Sequence, residues 1–300
     1  MKKWAFLLVT LLILSATCGC VDGPVETTPT IIVTRDFGRE TIFQGSANGS
    51  DALEALKEVL RVDEDGGFIN GIGDIRSEFP SNKNDWFFYV NGISSNVGAG
   101  DYTIHDGDIL RFDFHDWDRY LRIPALIGDF PEPFVHGYGG SRQETLIVYD
   151  QGFFNIASPL KDELEEMGAS VQLREDLPEE EKEKYNLIVI GRPEFKYITE
   201  LNDMYDKLGL FVYFEEDEMV LLDSNGDVSN RYGSGAVIQA TQNPWNPKGT
   251  NACENVVWMV CGSEEDVREG IHILSSKRDK IQHSFAVIVV GDDIIKVPAS

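Results

Sequence analysis

D-W-F-F-Y-V-N-G-I-S-S-N-V-G-A-G-D-Y-T-I-H-D-G-D-I-L-R-F-D-F, residues Asp85 to Phe114, is the stretch around which the N-terminal part of the chain is organised. It opens with the aromatic run Trp86 to Val90 and breaks at Asn91-Gly92, a dipeptide that accepts the positive φ of a tight turn. A second reversal is expected at Gly98-Ala99-Gly100, ahead of Tyr102, Thr103 and Ile104. A third, at His105-Asp106-Gly107-Asp108, leads into the alternating strand Ile109 to Phe114. Glycine and Asn/Asp fall where the backbone must turn, and aromatic or branched residues fill the runs between them. This pattern predicts a small, tightly wound β unit.

Outward from that stretch, Ile31-Ile32-Val33-Thr34 and Glu40-Thr41-Ile42-Phe43 flank a polar Arg35 to Arg39 and predict an opening hairpin. Ser50 to Arg61 places Leu53, Leu56, Val59 and Leu60 on one helical face, with Ser50 able to cap it and Asp51 favoured by the helix dipole. The helix, then Phe68-Ile69-Asn70-Gly71-Ile72, then W-F-F-Y-V-N-G and G-A-G-D-Y…D-G-D, resembles the C-terminal domain of the transcobalamin and intrinsic factor family over about residues 31–118. The resemblance implies a β-grasp-like α+β fold. In that family the matching domain closes over one face of a corrinoid, so a bulky planar ligand is implied here. Trp86, Tyr89, Tyr102 and Trp117 are then the contact candidates, set against the plainer reading that strand aromatics pack inward.

The chain carries 51 Asp+Glu against 26 Lys+Arg, a formal net charge of −25. That balance disfavours attraction to nucleic acid or to anionic headgroups and suits a soluble protein or a saline medium. Lys2-Lys3 followed by the apolar run Trp4 to Thr17 predicts a signal peptide over 1–19, too short for the ~20 apolar residues of a spanning helix. Gly19-Cys20 resembles a lipobox, which makes Cys20 the lipid-bearing residue and 20–30 a tether on the extracellular face of the membrane. An uncleaved anchor, or plain secretion, is the alternative. Cys253 and Cys261 are expected to be buried small hydrophobes. A strand between them would hold their α-carbons about 26 Å apart at ~3.3 Å per residue, too far for a disulfide.

Residues 119–143, with Pro124, Pro131, Pro133 and a glycine cluster at Gly137, Gly139 and Gly140, read as a linker. Phe130, Phe134 and Tyr138 indicate that it packs against its neighbours. From Glu144 the runs Thr145–Tyr149, Ser170–Leu173, Leu187–Gly191, Leu210–Phe214, Gly235–Ala240 and Val256–Cys261 alternate with helical segments at 157–167, 178–184, 197–208 and 264–275. Alternation of this kind predicts a three-layer α/β unit with a mainly parallel sheet over 144–300. N-P-W-N-P at Asn243–Pro247, the strand ending at Gly262, the helix after Ser263 and N-L-I-V-I-G-R-P at Asn186–Pro193 resemble a domain of archaeal surface-layer and related envelope proteins.

No catalytic or metal constellation stands out. Asp113, His115, Asp116 and Asp118 around Trp117 suit a hard cation or, more simply, a solvated strand end. Asp223, Asn225 and Asp227 have the spacing of a calcium loop, yet Val228 and Ser234 stand where such a loop wants glycine and glutamate, so a hairpin turn at Asn225-Gly226 is preferred. The Gly262-Ser263 turn would bind phosphate at a helix start were Glu264, Glu265 and Asp266 not there to repel it. Cys261 lacks a nearby activating group. The expectation is a non-enzymatic surface lipoprotein whose N-terminal domain binds a ligand. A structural envelope protein contacting surface-layer partners, and a hydrolase built on the C-terminal domain, are the rivals.

Overall fold

The computed structural model describes residues 28–249 and 252–299. The signal segment, Cys20 and most of the tether lie outside the described residues. Among the described residues, no helix is long and apolar enough to cross a membrane.

The expected hairpin forms from β1 (Thr30–Arg35) and β2 (Glu40–Ser46), followed by α1 (Ala52–Val59). Asp51, not Ser50, caps this helix, accepting from the Glu54 amide at 2.9 Å. Ser50 instead donates through Oγ to the Glu54 carboxylate at 2.6 Å, so the two residues hold the helix start reciprocally. Then come β3 (Val62–Asp65), β4 (Phe68–Ile72) and β5 (Ile75–Arg76), a separate three-stranded sheet. The organising stretch supplies β6 (Asn84–Val90), β7 (Ile93–Ser94) and β8 (Ile109–Asp116). Asn91 and Gly92, at φ 51° and 75°, make the tight turn between β6 and β7. Tyr102–Ile104, between the second and third reversals, forms only an isolated bridge from Thr103 to Asp51.

The first sheet has the order β2-β1-β8-β6-β7, with β1 parallel to β8 along six registered pairs. Strand alternation gives it two different faces. Leu110, Phe112, Val90, Ile31 and Val33 pack on Leu53 and Leu56 of α1 in one core. Tyr89 belongs to another, with Phe37, Phe211, Phe285 and Leu126.

The second half contributes β9 (Thr145–Tyr149), α2 (Phe154–Glu166), β10 (Val171–Arg174), β11 (Asn186–Gly191), α3 (Lys196–Asp203), β12 (Val212–Glu215), β13 (Glu218–Leu222), β14 (Val228–Tyr232), β15 (Ala236–Gln242), β16 (Val256–Gly262), α4 (Glu264–Ser276), α5 (Arg278–Ile281), β17 (Ala286–Val290) and β18 (Asp293–Val297). Ser263 caps α4, as expected, accepting from the Asp266 amide. The acidic segment near Pro178 makes only a 3-10 turn, Glu179–Glu181. The seven-stranded sheet runs β10-β9-β11-β16-β15-β17-β18. It is mixed where a mainly parallel sheet was expected: β10, β9, β11 and β16 are parallel, and β15, β17 and β18 join antiparallel. The reason lies in the connections. Among the described residues, the connection from β15 to β16 holds no α-helix, the usual crossover of a parallel pair, and the two strands pair antiparallel.

Both faces of this sheet are covered, which explains its unbroken apolar runs. Ile147, Ile188, Ile190 and Trp258 face α2 and α4. Leu146, Val148, Leu187 and Val189 face Tyr197, Ile198 and Leu201 of α3. Residues 119–143 pack as their aromatics suggested: Ile127 and Phe134 enter the first of these cores, Ile123 and Leu126 the second. The segment is tied on one side by Leu126 N–H to Gly92 O (2.9 Å) and on the other by Gly128 N–H to Ser284 O (2.8 Å).

Candidate functional site

β6 and β8 present aromatics on both faces, and the four contact candidates separate accordingly. Trp86 is half-buried on the α1 side, its ring 5.2 Å from Phe114. Tyr89 points the opposite way and is fully buried, its phenol pushed well above the ordinary value by burial and then by Asp113. Tyr102 is a core residue whose hydroxyl donates to Asp108 Oδ2 at 3.0 Å and accepts from the Gly139 amide. Trp117 lies past the end of β8 beside Phe79 (5.8 Å) and Lys83. They do not form one surface.

Trp86 alone of the four lines an open apolar groove, about 110 Å³, with Phe68, Ile69, Phe88, Ala99 and Phe112. Gly66-Gly67 turns β3 into β4 and leaves Phe68 79% exposed, the most exposed of the large hydrophobics in the described chain. The Trp86 indole N–H is shielded and has no protein acceptor. Phe68 escaped sequence reasoning as a contact because a lone aromatic after a Gly-Gly turn reads as the start of a half-buried strand. The signal was the turn itself, whose tip holds the ring away from the core.

The other face of the first sheet carries charge where only apolar contacts would be expected. Arg111 and Asp129 form a fully buried bidentate pair, and Arg111 also donates to His283 Nδ1 at 3.2 Å. Beside it, His115 Nδ1 meets Asp113 Oδ1 at 3.1 Å, and Asp113 Oδ2 accepts from Thr34 Oγ1 and the Gly38 amide. His115 stacks between Phe37 (4.6 Å) and Phe87 (4.2 Å). Asp113 and His115 do share a face, as alternation required, but they are buried and structural; the solvated strand end is limited to Asp116 and Asp118. Among the described residues, no cluster of three or more His, Cys, Asp or Glu is placed to hold a metal. Asp223 Oδ1 accepts from the Asn225 and Asp227 amides, the turn geometry preferred over a calcium loop.

Burial, then the Arg111 charge, lowers the His283 pKa to about 4. The unfolded side chain takes up its proton near pH 6.5. Stability from this group is therefore present above pH 6.5 and is lost as pH falls from about 6.5 to about 4. Asp108 and Glu132, raised by burial, act with the opposite sign and gain on acidification. Comparing the protein with His283→Asn, which tolerates the local φ of 66°, isolates the histidine. The wild type should lose about 2–3 kcal/mol more than the variant between pH 7 and 4, read from urea midpoints. Parallel pH profiles would refute the assignment.

Neither of the two cysteines among the described residues is an available nucleophile. Cys253 is buried, its thiol donating to Ser94 O at 3.2 Å. Cys261 is buried at the end of β16, and its pKa is pushed well up by burial, then by Glu194 and Asp150.

No curated protein matches the chain. Among solved structures, haptocorrin in complex with Cbi is similar at 15% identity and a TM-score of 0.26, over 32% of this chain and 27% of that one. The chain thus spans about a quarter of the length of that protein. A family described as a domain of unknown function (DUF4430) matches residues 49–116, which run from the turn before α1 to the end of β8 and contain the whole aromatic groove.

Proposed function

We propose that the chain is a non-catalytic protein, lipid-anchored on the extracellular face of the cell membrane, whose N-terminal β-grasp-like unit binds one face of a bulky planar ligand of corrinoid type. The observation that carries this reading is the exposed Phe68 ring beside Trp86 in a groove lined by aromatics, within a chain of net charge −25. The exposed ring gives the groove a flat apolar face on which a planar molecule can stack. At about 110 Å³ the groove is well below the ~300–1,000 Å³ that encloses a small ligand. It therefore offers a stacking platform for one side of a flat molecule, the other side being covered by a partner or left to solvent. The anchor rests on Lys2-Lys3, the apolar run and Gly19-Cys20, and the surface-layer-like pattern of 144–300 accords with an envelope location.

Titration with cyanocobalamin, followed by corrin absorbance and tryptophan fluorescence, tests the ligand. Binding at micromolar concentration is expected, weakened at least tenfold by Phe68→Ala. That substitution should leave stability within about 0.5 kcal/mol, because the ring is largely solvated. No spectral change at micromolar protein would sink the corrinoid assignment. Mass spectrometry of the native N-terminus decides separately whether Cys20 carries lipid.

A further inference from the structure

Parallel sheets place ligands outside the carboxyl ends of their strands, beside the point where successive connections leave in opposite directions. Here β9 leads through α2 on one face, and β11 leads to α3 on the other, so that point lies between β9 and β11. The crevice itself is filled by the protein: Arg192 crosses it to Asp150 at 2.8 Å and lies 4.9 Å over the Phe153 ring. The adjoining space above β11 and β16 is open. It is a cleft of about 400 Å³, roofed by the β12–β14 meander that interrupts the sheet between α3 and β15.

Phe214, Met219 and Tyr232 supply an apolar wall, and Glu194, Asp217 and Asp266 supply carboxylates. Arg192 is the sole cation in the lining, and its charge is already committed to Asp150. Asp266 accepts from Ser263 Oγ at 2.6 Å and, among the described residues, has no cationic partner. Among the described residues, the carboxylates of Glu194 and Asp217 meet no hydrogen-bond donor or cation. Glu194 lies close enough to the end of β16 to add, after burial, to the raising of the Cys261 pKa.

We infer that this cleft is a second binding site, for a small organic cation carrying an apolar arm. The arm would lie along Phe214, Met219 and Tyr232, and the charged end would meet Glu194 and Asp217, with the Tyr232 ring available for a cation–π contact. The volume falls within the range of small-ligand sites. An anion is disfavoured at the start of α4 by the acids of its first turn. The site is distinct from the aromatic groove and does not depend on it.

Agmatine, with a guanidinium and an ammonium joined by a methylene chain, is the probe, titrated calorimetrically into the full chain at moderate salt. Saturable one-site binding is expected, weakened at least tenfold by Glu194→Gln with Asp217→Asn and unchanged by Phe68→Ala. Glu166→Gln with Glu180→Gln removes the same charge from exposed positions elsewhere and should have no effect. All four acids are exposed, so circular dichroism should show the variants folded. Equal weakening by both pairs would reduce the effect to diffuse attraction. Either that result, absence of saturable binding, or binding of Mg²⁺ or Ca²⁺ in place of agmatine would overturn the inference.

Discussion

Asp129→Ala is expected to destabilise the protein by about 3–5 kcal/mol. Arg111 has no solvent exposure, and among the described residues its guanidinium is met by Asp129 and His283. Removing the carboxylate strands a buried cation against an imidazole that can accept but not neutralise. An ordinary domain has about 5–15 kcal/mol of stability in total, so the variant should show a large drop in urea midpoint. Arg111→Met combined with Asp129→Leu should recover most of the loss, since a buried ion pair is often no better than apolar groups of similar volume. A single-variant cost below about 1 kcal/mol, or a double variant as poor as the single, would show that the pair is wetter than its burial implies.

The second large effect is at the tip of the β1–β2 hairpin. Gly38 sits at φ +76°, donates its amide to Asp113, and would place a Cβ 1.8 Å from the His283 carbonyl oxygen. Gly38→Ala therefore combines left-handed strain of about 1–2 kcal/mol with an overlap against backbone, typically another 1–3 kcal/mol. Gly66→Ala is the control: φ is +59° and nothing lies within 4 Å of the added carbon. It should cost only about 1 kcal/mol. The difference between the two variants reads the contact itself. If Gly38→Ala is no worse than Gly66→Ala by chemical denaturation, the hairpin tip does not dock on the His283 turn as described.

Much of the architecture was legible because it is written in local chemistry. Asn91-Gly92 set one hairpin and Asn225-Gly226 another, and the apolar run at Thr145–Tyr149 coincides with β9 to the residue. Ser263 announced α4. The errors came where local signals compete. At Ser50-Asp51 two capping residues stood side by side, and only geometry chose between them. Around Pro178, acidic residues of good helical propensity gave only one 3-10 turn, after which Lys182 contacts Glu200 and the Trp245 ring. The site was less legible than the fold. Strand period put Trp86 and Tyr89 on opposite faces, which was computable from their numbers, but it could not show which face would be covered. Arg111, Asp129 and His283 are far apart in sequence, and nothing local marks any of them as partners.

The placement of β1 has a mechanical side. It is held from Thr30 to Arg35 on one flank by β2, with a register shift after Val33, and on the other by β8 in unbroken register. Tension entering the chain at Thr30 along the strand axis loads both ladders in shear, so many hydrogen bonds must rupture together. A pull across the axis would peel them one after another. A chain tethered through its first residues would thus meet load at the strand best arranged to resist it.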